Sequence, residues 1–127
     1  MKKILLVIII CTQFSCSKDD DSSIPETIQI RIKNTSQFNY SDIQINTGGG
    51  ENNYGNISAS RTSKYGGFDF AYRYALVELK INGEIFTIQP IDYFGEVKLT
   101  PGNYTYEIGA NDSAERYGKL TLNLVRD

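Results

Sequence analysis

The chain has 127 residues, room for one domain and little else, and its 40% apolar, 22% charged and 12% aromatic content is ordinary globular composition. Thirteen Lys and Arg against 15 Asp and Glu give a formal net charge of -2, which argues against nucleic acid as a partner, because binding it needs a basic surface that displaces counterions. There is no His and no Trp, so every mechanism that needs an imidazole base or ligand is excluded.

The first residues read as an address. Met1-Lys2-Lys3 is positively charged, and Ile4 to Ile10 is an unbroken run of seven apolar residues. Thr12-Gln13-Phe14-Ser15 follows, then Cys16. This is the layout of a secretory signal peptide; a membrane-spanning helix needs roughly 20 apolar residues. No A-x-A cleavage site is present, but the small residue Ser15 directly precedes Cys16. The stretch FSCSKDDD resembles the lipoprotein signals of Bacteroidota, in which a loosely specified lipobox ends in Cys. The resemblance implies cleavage before Cys16, diacylation of Cys16 and acylation of the new amine. It departs from the wider bacterial pattern at Gln13, where Leu is usual. Cys11 is the rival, but cleavage there would leave Thr-Gln-Phe behind the Cys. Residues 1–15 are therefore expected to be a lipoprotein signal, with residues 16–26 as lipidated Cys and tether. With Cys11 removed, the mature chain is expected to hold no disulfide.

Lys18 followed by Asp19-Asp20-Asp21 resembles the export signal that sends such lipoproteins to the outer face of the outer membrane. Read without the resemblance, the run is a solvated spacer, and the periplasmic face is the alternative location. Residues 17–26 are polar and aperiodic, and ten residues reach at most about 35 Å. The tether holds one Lys and four acids, whereas residues 27–127 hold 10 basic and 11 acidic residues. The acidity thus belongs to the tether.

From residue 27 onward the apolar period is two, which predicts strands. Thr27 to Asn34 puts Ile28, Ile30 and Ile32 on one face, and Ser41 to Asn46 repeats this with Ile43 and Ile45. Residues 47–53 read as a loop by composition, and Tyr54 to Ser60 as a weak strand through Ile57 and Ala59. Tyr65, Phe68 and Phe70 are expected to contribute to the core. Tyr72 to Ile81 and Glu84 to Ile91 flank Asn82-Gly83, a hairpin with a type I′ turn, since both central residues need positive φ. Ala75, Val77, Leu79 and Ile81 share its inner face, which leaves Tyr72 and Tyr74 on the other. Pro90 lacks an N–H, so pairing should stop there. Pro101-Gly102 turns into a strand with Tyr104, Tyr106 and Ile108 inward, and Tyr117 to Val125 ends the domain with Leu120, Leu122 and Leu124 on one face.

About seven short strands at this spacing predict an all-β, two-sheet antiparallel sandwich over residues 27–127. The segment L-x-P-G-x-Y-T-Y-x-I resembles the penultimate strand of immunoglobulin-like and prealbumin-like modules. Residues 16–127, through SCSKDDD, IRIKN, AYRYALVELKING, QPIDYFGE and L-x-PGNYTYEI, resemble small surface lipoproteins of Bacteroidota. That resemblance implies a location and a scaffold and brings no chemistry with it.

The expected function is accordingly a non-enzymatic module of the outer membrane surface, held to the membrane by its lipid anchor and acting as a binding or structural accessory. No nucleophile, base and acid set is available, and no cofactor or metal is expected; Glu51, Asn52, Asn53, Asn111 and Asp112 read as turn residues rather than a calcium loop. The alternative is a small carboxylate-dependent glycan hydrolase, or a hydrolase inhibitor, with Asp92 and Glu96 or Asp69 and Glu107 as its acids. The candidate binding site is Asp92, Tyr93, Phe94 and Glu96, in a loop beyond Pro90, with a surface glycan or a protein as partner. Asp112-Ser113-Ala114 resembles the O-glycosylation sequence of Bacteroidota, which makes Ser113 a candidate modification site.

Overall fold

The computed structural model describes residues 27–127 apart from Asp92 and Phe94. Cys16, Lys18 and Asp19 to Asp21 lie outside the described residues.

Alternation of branched aliphatic and polar residues produces eight strands, against the seven or so expected. They are β1 (Ile28–Asn34), β2 (Tyr40–Asn46), β3 (Glu51–Ile57), β4 (Gly66–Phe68), β5 (Leu76–Ile81), β6 (Glu84–Ile88), β7 (Gly102–Ala110) and β8 (Leu120–Arg126). One sheet has the order β4-β1-β7-β8 and the other β3-β2-β5-β6. The domain is an all-β two-sheet sandwich. Its pairings are antiparallel except one: β1 runs parallel to β7, from Ile28 opposite Gly102 to Asn34 opposite Ile108.

The two inner faces supply the core. Ile28, Ile30 and Ile32 of β1 and Tyr104, Tyr106 and Ile108 of β7 meet Ile43 and Ile45 of β2 and Val77, Leu79 and Ile81 of β5, all buried. The Asn82-Gly83 turn has φ of +52° and +85°, the geometry a type I′ hairpin requires. Pairing of β6 ends at Ile88, two residues before Pro90.

Four local expectations are corrected. Glu51 to Asn53 belong to β3, because the turn over Thr47 to Gly50 is tight: the Thr47 N–H donates to the Gly50 carbonyl at 3.1 Å. Tyr72 to Ala75 lie outside β5, and Tyr72 turns inward, 9% exposed, where strict alternation would turn it out. Tyr65 is 39% exposed instead of core, its hydroxyl donating to Asp127 at 2.6 Å. The last strand begins at Leu120, and Tyr117 sits in the preceding loop.

The parallel pair fixes what lies at each end. At the end where β1 begins are the turn 47–50, the segment 69–75 and the connection 89–101, tied together by Thr47 Oγ1 donating to the Phe70 carbonyl at 2.8 Å and the Leu99 N–H donating to the Ala71 carbonyl at 2.8 Å. At the other end are the Asn82-Gly83 turn, residues 35–39 and residues 111–118.

Candidate functional site

The connection 89–101 carries the loop that the sequence marks for binding. Its Tyr93 ring stacks on Tyr72, with centroids 4.4 Å apart and planes within 10°, and on Tyr74 at 5.8 Å. Phe70 meets the edge of Tyr72 at 6.0 Å. Burial raises the Tyr93 hydroxyl pKa above its ordinary value, while a hydrogen bond from the Leu76 backbone opposes that shift. Tyr93 is therefore an anchor that packs the loop against the sandwich. Glu96 is half-buried, with its N–H donating to the Tyr93 carbonyl at 2.9 Å. The residues that project are Ile91, 98% exposed, and Val97, 82% exposed. The sequence reading missed both, although aliphatic residues stranded beyond a strand-ending Pro are a legible signal.

A second surface lies along β3. Residues 52–58 and 61–66 enclose an open cleft of about 620 Å³. Asn52, Asn53 and Asn56 all line it, and they are held differently: the Asn52 amide nitrogen donates to the Gly67 carbonyl at 2.8 Å. Asn53 Oδ1 accepts the Gly55 N–H at 2.7 Å, and Asn56 Oδ1 accepts the Asp42 N–H at 3.2 Å. With these two amide oxygens held, the Asn53 and Asn56 amide nitrogens have no partner among the described residues and can donate to a ligand. Arg61 and Lys64 line the same cleft, and no carboxylate does. The Tyr54 hydroxyl is occupied, donating to the Ile30 carbonyl at 2.7 Å, and burial holds its pKa well above the usual phenol range. Asp127, which accepts from Tyr65, is already paired with Arg31 at 3.4 Å.

Ser113 lies at the far end, half-buried in the loop between β7 and β8. Its N–H donates to Asn111 Oδ1 at 2.8 Å, and its Oγ accepts the Glu115 N–H at 3.1 Å. The loop is clamped by Lys119, 7% exposed, whose ammonium donates to the Asn111 and Ser113 carbonyls at 2.8 Å each. The same ammonium sits 4.7 Å from the Phe38 ring centroid and 5.2 Å from that of Phe86. Two carbonyls and two aromatic faces replace the water this cation would otherwise hold.

Asp69 and Glu107 do not meet. Asp69 follows β4 at the end where β1 begins, whereas Glu107 lies opposite Lys33 and Asn123 and accepts from Asn123 at 3.0 Å. Among the described residues, no group of three or more Cys, Asp or Glu gathers in a metal-holding arrangement.

No protein-family model and no curated protein matches the chain. Among solved structures, the NMR structure of a protein from Eubacterium rectale aligns with a TM-score of 0.51 at 20% identity, over 80% of this chain and 88% of that one. This likeness is one of fold alone: the chain shares a β-sandwich-like architecture with that protein.

Proposed function

We propose that this protein is a lipid-anchored, non-enzymatic β-sandwich that binds acidic oligosaccharides at the outer membrane surface. Cys16 is the acylated residue, residues 17–26 are the tether, and the cleft along β3 is the binding site. The scaffold's kinship, on this reading, is with small surface lipoproteins of Bacteroidota built on immunoglobulin-like or prealbumin-like modules.

The observation that carries the binding role is the cationic, carboxylate-free lining of the cleft. The amide nitrogens of Asn53 and Asn56 and the cations of Arg61 and Lys64 offer hydrogens to a ligand rich in acceptors and negatively charged. A saccharide bearing carboxylates or sulfates has that chemistry. The cleft's volume lies within the roughly 300–1,000 Å³ typical of small-ligand sites. A peptide would need apolar sub-pockets, and Ile57 is the cleft's one aliphatic lining residue.

The test is calorimetric titration of the intact protein with tetragalacturonate, with neutral maltotetraose and a tetra-aspartate peptide as comparators. Binding of the uronate alone is the expected result, weakened at least tenfold in the Arg61→Ala, Lys64→Ala double variant and by added salt. Equal binding of the peptide, or none of the uronate, would overturn the assignment. For the anchor, palmitate labelling is expected to vanish in Cys16→Ala and persist in Cys11→Ala. Replacing Asp19, Asp20 and Asp21 with Ala is expected to remove the domain from protease attack on whole cells.

A further inference from the structure

We infer that the end of the sandwich where β1 begins rests on the bilayer, with Ile91 and Val97 as its lipid contacts. This rests on the lipid anchor proposed above and deepens it from a tether to a seated orientation.

Three observations meet at this end. First, the parallel pairing of β1 with β7 places the connection 89–101 beside the point where the chain enters the domain, and the Gly102 N–H donates to the Thr27 carbonyl at 3.4 Å. Whatever holds the tether therefore holds this connection close. A ten-residue coil has a root-mean-square span of about 18 Å. Second, Ile91 and Val97 are the two most exposed large apolar residues among those described, and both lie in this one connection. A single exposed aliphatic residue is unremarkable. Two on the one connection that adjoins the anchored terminus are placed where a bilayer at that terminus would meet them.

Third, the connection is braced. Tyr93 is stacked on Tyr72 and Tyr74, Leu99 is bonded to Ala71, and the Lys98 ammonium lies 4.2 Å from the Phe70 centroid. Ile91 and Val97 are thus presented on a packed base. A Lys whose stem is apolar suits the depth of lipid headgroups. The connection's charges, Asp92, Glu96 and Lys98, nearly balance, which favours zwitterionic over anionic headgroups. Anchoring makes the contact intramolecular, so a weak interfacial affinity is enough to hold it. The cleft along β3 extends to Arg61, whose carbonyl accepts the Asn34 N–H at the opposite end of β1, so part of it lies at the end away from the membrane.

The experiment places a polarity-sensitive fluorophore on Ile91→Cys, Val97→Cys or Ser58→Cys of the acylated full chain. Each protein is reconstituted in vesicles of phosphatidylcholine and phosphatidylethanolamine with no other protein present. Acylated Cys16 does not react, so the new thiol alone is labelled. Labels at 91 and 97 should be shifted to the blue and protected several-fold from an aqueous quencher, relative to the label at 58. Equal quenching at all three positions, with palmitate still incorporated, would overturn the seat and leave the anchor standing. Failure to incorporate palmitate would overturn both. Protection seen only in whole envelopes and absent from the vesicles would assign the surface to a protein partner and overturn the seat.

Discussion

The Tyr106 hydroxyl, at the centre of β7, donates a 2.6 Å hydrogen bond to the Tyr72 carbonyl, and the Tyr72 ring carries Tyr93. One side chain of the core thus holds the segment on which the connection 89–101 is built. Tyr106→Phe removes the donor and leaves a buried carbonyl unsatisfied, which costs about 1–3 kcal/mol. Urea unfolding of the variant should show a lower midpoint with an unchanged slope, because the exposed area is the same.

Tyr93→Ala deletes a stacked ring and the hydroxyl that the Leu76 backbone meets. The ring is half-buried, so the cost should fall below the 3–5 kcal/mol of a full core truncation, near 2 kcal/mol. In a domain of this size that lowers Tm by about 10 °C. Tyr93→Phe keeps the stack and should lose less than half as much. A thermal melt of both variants separates the ring's contribution from the hydroxyl's.

Gly49 allows no side chain. A Cβ there would stand 2.3 Å from the Phe70 carbonyl oxygen and 2.6 Å from its nitrogen, both backbone atoms. Gly49→Ala must push the turn off the 69–75 segment and should cost more than about 3 kcal/mol, as severe overpacking does. At Gly55, with φ of +69°, an added Cβ meets nothing within 4 Å. Gly55→Ala there should cost about 1 kcal/mol, the strain of the left-handed conformation. Circular dichroism melts of the pair provide the comparison.

Lys119→Met keeps the apolar stem and removes the ammonium, so the Asn111 and Ser113 carbonyls lose their donor. The expected loss is about 1–3 kcal/mol. Amide exchange should accelerate over residues 111–118 while β1 and β7 remain protected.

Alkaline pH should unfold the domain early. Burial raises the hydroxyl pKa of Tyr40, Tyr54, Tyr93 and Tyr106 above the ordinary value of 10.0. A group whose folded pKa is raised contributes its full stability below its unfolded pKa. That contribution then falls as pH climbs from 10 toward the folded value, because only the unfolded chain ionises. Chemical denaturation should therefore show a flat free energy up to about pH 9 and a steep decline above pH 10. Tyr54→Phe, which removes a strongly shifted group, should make that decline shallower.

The strands and their inner faces were legible in the sequence because alternation is a local property. Ile28, Ile30 and Ile32, or Val77, Leu79 and Ile81, can face one way only if the chain is extended, and Asn82-Gly83 alone specifies the turn of its hairpin. Alternation carries no information about which strands are neighbours. The parallel partnership of β1 and β7 joins segments some 74 residues apart and follows from how the two sheets bury each other's inner faces. Tyr72, expected on the outer face, and Lys119, which the sequence does not single out, escape local pattern for the same reason. Each takes its position from partners remote in sequence, and a ring or cation that is exposed by local pattern becomes buried once Tyr106, or Phe38 and Phe86, arrive beside it. The cleft along β3 likewise exists only once the strand and residues 61–66 are brought together by the fold. Sequence by itself determined an extended, two-faced chain with its turns. Tertiary structure decided the neighbours, because burial and hydrogen-bond satisfaction depend on what the rest of the chain brings to each residue.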